Sequence, residues 1–108
     1  MTDPETIARA YYAAIDEGRY DDLEALLGPE FVHDRPDRTL DGATRFVRFM
    51  REERPLTDTT HEIDGCYRND DRIAVRGRLR HDGEDLFSFV DAHTVENERI
   101  THLRTYTG

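Results

Sequence analysis

Lysine is missing from this 108-residue chain: its 15 basic residues are all arginine, set against 24 aspartates and glutamates for a net charge of -9. Such an excess of negative charge argues against a nucleic-acid groove, whose affinity comes from neutralising phosphates, and against an anionic membrane surface. An acidic, lysine-free surface resembles those of proteins from salt-loving organisms, and high-GC codon usage also replaces lysine with arginine, so both origins stay open. Charge of this kind speaks to solubility and not to fold. Long apolar runs are absent too, which excludes a spanning helix, and the opening Met1-Thr2-Asp3-Pro4-Glu5 is acidic where a secretory leader would be basic and then apolar. A soluble, cytoplasmic protein is expected. The single cysteine, Cys66, excludes an intramolecular disulfide and reads as a small strand residue. No Cys or His spacing resembles a zinc site, so neither metal nor cofactor is expected. Repeats, low-complexity tracts and linkers are also lacking, and the length suits one domain over residues 1–108 with one modest core.

The apolar pattern divides the chain in two. Ile7, Ala10, Tyr11, Ala14 and Ile15 recur at helical spacing behind Asp3-Pro4, with Gly18 as a stop, which predicts a helix over about residues 4–17. Leu23, Leu26 and Leu27 predict a second, ended by Gly28-Pro29 and packed on the first as a hairpin. Phe31–Arg35 is strand-like, Asp37–Gly42 reads as a loop, and Phe46, Val47, Phe49 and Met50 predict a third helix ending before Pro55. Beyond Thr57 the texture alternates, with turn signals near Asn69-Asp70, Asp82-Gly83 and Asn97-Glu98. Four antiparallel strands follow, at about 58–68, 72–81, 85–96 and 99–107. Helices first and strands afterwards give an α+β fold.

Strand alternation places Phe87, Phe89, Asp91, His93 and Val95 on one face and Ser88, Val90, Ala92 and Thr94 on the other. The first face is large and apolar yet holds a carboxylate, which is costly to bury unless it is paired, hydrogen-bonded or protonated. The second is small and smooth, and suits packing of one subunit's sheet on another's. His33 should face opposite to Asp34. His33, His61, His81 and His102 read as solvated or interfacial, and Arg76, Arg78 and Arg80 as a solvated or inter-subunit face.

The segments Tyr11-Tyr12-Ala13-Ala14-Ile15-Asp16-Glu17-Gly18, Leu23-Glu24-Ala25-Leu26-Leu27, Phe31-Val32-His33-Asp34, Gly42, Phe89-Val90-Asp91 and Arg99-Ile100 together resemble a SnoaL-like polyketide cyclase domain. That superfamily also holds ketosteroid isomerase, limonene epoxide hydrolase and nuclear transport factor two. The resemblance implies a cone-shaped roll, with three N-terminal helices packed on a curved antiparallel or mixed sheet around a pocket. It also implies a homodimer through the outer sheet face. Ketosteroid isomerase uses an aspartate base with a tyrosine and a protonated aspartic acid as oxyanion donors. Carried onto this chain, these roles fall on Asp34, Tyr11 and Asp91, with the base position open by a residue. Phe89, His93, Val32, Leu103 and Thr105 are then expected to line the pocket. The implied ligand is small, and hydrophobic or carbonyl-containing, and the implied chemistry is proton abstraction beside a carbonyl without a cofactor. A non-catalytic binding or dimerisation module is the alternative, and epoxide hydration a more distant one, since Leu103-Arg104-Thr105 stands where that family has Trp-Arg-Asp. The enzymatic reading requires Tyr11, Asp34 and Asp91 to converge on one enclosed point.

Overall fold

In the computed structural model, which describes residues 3–54, 56 and 58–107, the chain begins with helix α1 (Pro4–Asp16). Asp3 caps it, its carboxylate accepting the Thr6 N–H at 2.9 Å, and Pro4 occupies the first turn, where its missing N–H costs nothing. Gly18, at φ +68°, turns the chain into α2 (Tyr20–Ala25). The first helix falls where the periodicity predicts; the second is shorter than predicted, stopping at Ala25, with Leu26 as its cap and Leu27 already in the following strand. The third, α3 (Ala43–Arg48), runs on through a wider π-helical turn, Phe49–Glu53, so the helical segment stops short of Pro55, which lies outside the described residues.

Six strands form one mixed sheet: β1 (Leu27–Asp34), β2 (Thr39–Asp41), β3 (Thr60–Asn69), β4 (Arg72–His81), β5 (Glu84–Glu96) and β6 (Arg99–Thr107). Their order is β2-β1-β6-β5-β4-β3, with β1 parallel to β6 and every other pair antiparallel. The predicted four-stranded meander is present. Two expectations need correction. Gly28-Pro29 does not end α2 but lies inside β1, in the stretch between Leu27 and Val32 where the β6 register shifts; β2 pairs only with Val32–Asp34, so no ladder bond is asked of the proline nitrogen. The predicted loop at Asp37–Gly42 contains β2, too short at three residues to show a pattern.

The sheet curves around the helices. Register shifts interrupt β3 between Ile63 and Gly65, β4 and β5 beside Leu79, and β5 and β6 at Thr94–Val95, each bending the sheet. Opposite the first shift stands Gly77: a Cβ there would lie 2.4 Å from the Glu62 carbonyl oxygen and 3.0 Å from the Phe89 ring, so the approach of β3 and Phe89 requires glycine. The concave face and the three helices enclose the core, built around Ile15, Leu23, Phe31, Phe46, Ile73 and Leu103. Among the described residues no helix is long and apolar enough to cross a membrane.

Candidate functional site

Between the concave sheet face and the helices lies a cavity of about 270 Å³, on the small side of the roughly 300–1,000 Å³ usual for ligand sites. Ile15, Met50, Leu79 and Phe89 supply apolar wall. Leu56, Leu86 and Phe87, each about 40% exposed, form an apolar rim. Polar groups enter at few points: Tyr11 from α1, His33 and Arg35 from the end of β1, Arg54, His61 from β3, Asp91 from β5 and Thr105 from β6.

Asp91 is buried because the period-2 face of β5 turns inward as predicted, carrying Phe89, His93 and Val95 with it. Its two oxygens terminate a branched hydrogen-bond chain. Thr105 donates to Oδ1 at 2.6 Å and Tyr12 to Oδ2 at 2.6 Å. Since each hydroxyl spends its proton on Asp91, each accepts from an imidazole: His33 Nε2 lies 2.7 Å from Thr105 Oγ1, and His93 Nε2 lies 2.9 Å from the Tyr12 hydroxyl. This direction makes both histidines Nε2–H tautomers and leaves their buried Nδ1 lone pairs without a partner among the described residues. An orphaned lone pair is cheaper than an orphaned N–H, which favours the same tautomers.

Burial sets the protonation of this chain. It pushes the Asp91 carboxyl up, against the Thr105 and Tyr12 hydrogen bonds that favour the anion. It lowers His33 to about 3, helped by the neighbouring Arg35 charge and by His93, and lowers His93 to about 3 by itself. Both imidazoles are therefore neutral. The phenols of Tyr11 and Tyr12 are held well above their usual range, by burial first and then by the Asp91 charge, so both remain hydrogen-bond donors.

A second polar unit adjoins the chain through Asp91 without a hydrogen bond to it among the described residues. Asp16, the last residue of α1, accepts the backbone N–H of His61 at 2.9 Å through one oxygen and pairs with its Nδ1 at 2.6 Å through the other. The imidazole packs against Tyr12, 5.0 Å between centroids, and edge-on to Phe89 at 5.6 Å. Arg35 stacks on Phe49 at 4.9 Å with its Nε 3.5 Å from Asp37, and Arg54 donates to the Met50 carbonyl and to the Tyr20 hydroxyl.

Of the residues chosen from sequence, Tyr11, Asp91, Phe89 and Thr105 line the cavity. Asp34 does not. It points to the opposite side of β1, pairing with His102 at 2.9 Å and accepting from Thr39 at 3.0 Å, partners that in that order hold its carboxyl below the usual range. The three-residue convergence on Tyr11, Asp34 and Asp91 is thus absent, and the enzymatic reading that took Asp34 as its base fails with it; only Tyr11 and Asp91 meet at the cavity. Val32 shares that outward side with Asp34; Leu103 is core; and His93 is buried behind Tyr12, supporting Asp91 instead of lining the wall. Strand alternation explains the first two: Phe31 is fully buried, so His33 and not Asp34 or Val32 repeats its inward direction. His33 and His61, read as solvated or interfacial, face the cavity, and Tyr12, not Tyr11, reaches Asp91. The one sequence signal for His33 was the apolar Phe31 two residues earlier, which shares its face but does not show that this face turns inward; nothing local marked His61 or Asp16. Asp58, His81 and Asp82 are the one metal-type grouping among the described residues, and two of the three are exposed.

With this geometry in view, the sequence comparison is decisive for family: residues 8–103 match the model of the SnoaL-like domain. The chain belongs to the SnoaL-like family. Its fold recurs in solved structures of low identity. A candidate ketosteroid isomerase from Kribbella flavida superposes with a TM-score of 0.86 at 17% identity, covering 97% of this chain and 77% of that one. For a candidate polyketide cyclase from Sinorhizobium meliloti the values are 0.82, 18%, 94% and 94%. For a limonene-epoxide-hydrolase-like epoxide hydrolase from M. tuberculosis they are 0.84, 17%, 97% and 82%. At such identities these likenesses speak for the fold alone. No curated protein matches the chain in sequence.

Proposed function

We propose that this SnoaL-like chain binds a small hydrophobic, carbonyl-containing ligand in its cavity and acts on it as a cofactor-independent cyclase or isomerase, through proton abstraction beside the carbonyl. One observation carries the reading: a buried carboxyl with a raised pKa, Asp91, opens onto an apolar-walled cavity beside a phenol, Tyr11, that stays protonated. Hydrogen-bond donors fixed in an apolar-walled cavity stabilise a developing enolate better than they would in water. Asp34, on the outside of the sheet, has no part in this. Hydration of an epoxide is less well supported, because Asp91 is the single carboxylate of the lining among the described residues.

The test is deuterium exchange at the carbon beside the carbonyl of α-tetralone, a two-ring ketone of suitable size, followed by proton NMR in heavy water. The protein should accelerate exchange, and the ketone should shift the backbone amides of Phe89, Asp91 and Thr105. Asp91→Asn should slow exchange about tenfold or more, the equivalent of about 1.4 kcal/mol, while Asp34→Asn leaves it unchanged. Amide shifts confined to the outer sheet face would sink the proposal.

A second reading, a non-catalytic ligand-binding or dimerisation module, draws on one feature. Val90, Tyr67 and Tyr106 are exposed large hydrophobics, and Val90 pairs with Tyr106 in the β5–β6 register beside small Ala92. A homodimer through this outer face is compatible with either reading, and sedimentation of wild type against Val90→Glu distinguishes dimer from monomer.

A further inference from the structure

We propose that His61 is the general base of this cavity and that Asp16 is its positioning residue; the inference rests on the cavity-ligand reading above and supplies the base that Asp34 does not. Asp16 accepts two hydrogen bonds from this one histidine. Oδ2 holds the His61 backbone N–H and Oδ1 the ring, at 2.9 and 2.6 Å, so both the strand position and the ring rotation are fixed by a carboxylate at the end of α1. A carboxylate can only accept, so Nδ1 carries the proton, and in the neutral ring Nε2 carries the lone pair. The ring lines the cavity, with its faces and edges held by Tyr12 and Phe89. Unlike His33 and His93, whose Nε2 atoms are committed to Thr105 and Tyr12, His61 makes its side-chain hydrogen bond through Nδ1. Among the described residues Nε2 has no hydrogen-bond partner, which leaves it for the ligand.

The other titratable groups of the cavity fit this division of labour. His33 is neutral and weakly basic, Asp91 is engaged by two hydroxyls, and Tyr11 remains protonated. In the step itself, Nε2 takes a proton from the carbon beside the carbonyl, the C–H electron pair moves into the enolate, and the Tyr11 hydroxyl donates a hydrogen bond to the oxygen. The imidazolium, facing the Asp16 anion across Nδ1–H, then returns the proton to the same or another carbon. No oxidant, reductant or second substrate is needed.

A nitrobenzisoxazole tests this without knowledge of the natural ligand. A base that takes its ring C–H proton drives that electron pair into a nitrile and breaks the N–O bond, releasing a coloured cyanonitrophenolate. The wild-type protein should open the ring with saturation kinetics. His61→Gln and His61→Asn, assayed together so that one folded variant suffices, should fall by about 10²-fold or more, towards the buffer rate. Asp16→Asn should lower kcat several-fold with KM little changed, and Asp16→Glu should recover part of it, whereas a merely structural role would lower the folded fraction and leave kcat per folded molecule intact. His102→Gln, on the outer side, should behave as wild type. Binding is followed separately by amide shifts at Phe89 and Leu86. A wild-type protein that binds the probe and does not open it, or a folded His61 variant that opens it at the wild-type rate, overturns the assignment of His61 while the cavity reading stands. Absence of binding overturns both.

Discussion

The Tyr12 hydroxyl lies 2.6 Å from Oδ2 of Asp91, a residue 79 positions further along the chain, and 2.9 Å from His93 on the same strand. This contact ties the first helix to the middle of the sheet through a carboxylate that lines the cavity. It also gives two adjacent tyrosines different roles, since Tyr12 supports the buried carboxyl and Tyr11 faces the ligand space.

Removing the Tyr12 hydroxyl should therefore cost far more than removing its neighbour's. Tyr12→Phe takes a donor from Asp91 and a partner from His93, leaving two buried polar groups short of a bond. A loss of about 2–3 kcal/mol is expected by urea denaturation. Tyr11→Phe keeps the ring contacts with Tyr12, Phe46 and His93 and should cost under about 1 kcal/mol. Equal losses would contradict the division.

Acid should destabilise the protein through its buried histidines. His33 and His93 titrate near 6.5 when unfolded and near 3 in the native protein, so as pH falls below 6.5 the unfolded chain binds protons that the native one does not. Their contribution is present above about pH 6.5 and is lost as pH falls towards 3, at up to about 1.4 kcal/mol per unit for each histidine. Asp91 works in the opposite sense: its raised pKa means that protonation in the same acid range favours the fold and offsets part of the loss. His33→Gln removes one histidine's share, so its stability between roughly pH 6.5 and 4.5 should fall less steeply than that of wild type. Parallel curves would show that His33 is not neutral in the native state.

Molar potassium chloride should raise the melting temperature. The net charge of -9 repels itself in the compact state, and salt screens that repulsion to within a few ångströms. Local pairs such as Arg9–Glu5 and Arg19–Asp22 are exposed and lose little when screened. A gain of about 1 kcal/mol corresponds to roughly 4–8 °C for a chain of this size. A melting temperature that stays level or falls would show that the ion pairs outweigh the net repulsion, and would count against adaptation to salt.

Period and punctuation decided much of this protein before any tertiary contact. Ile7, Tyr11 and Ile15 mark α1 at 3.6-residue spacing, Gly18 ends its hairpin turn, and the uninterrupted alternation of β5 puts Phe89, Asp91 and His93 on one face, because a long regular strand fixes parity along its whole length. The SnoaL-like family was legible from the same segments. Tertiary structure decided the rest. Both Tyr11 and Tyr12 are buried at 3% exposure, and only the rotation of α1 against the sheet determined which reaches Asp91. The β1 ladder, with its register shift and the parallel pairing to β6, sent His33 inward and Asp34 outward. His61 and Asp16 lie 45 residues apart and meet because α1 ends against the start of β3. Spacing along a chain sets which side chains share a face; which faces come together to form a pocket is set by packing between elements distant in sequence, and packing leaves no local mark.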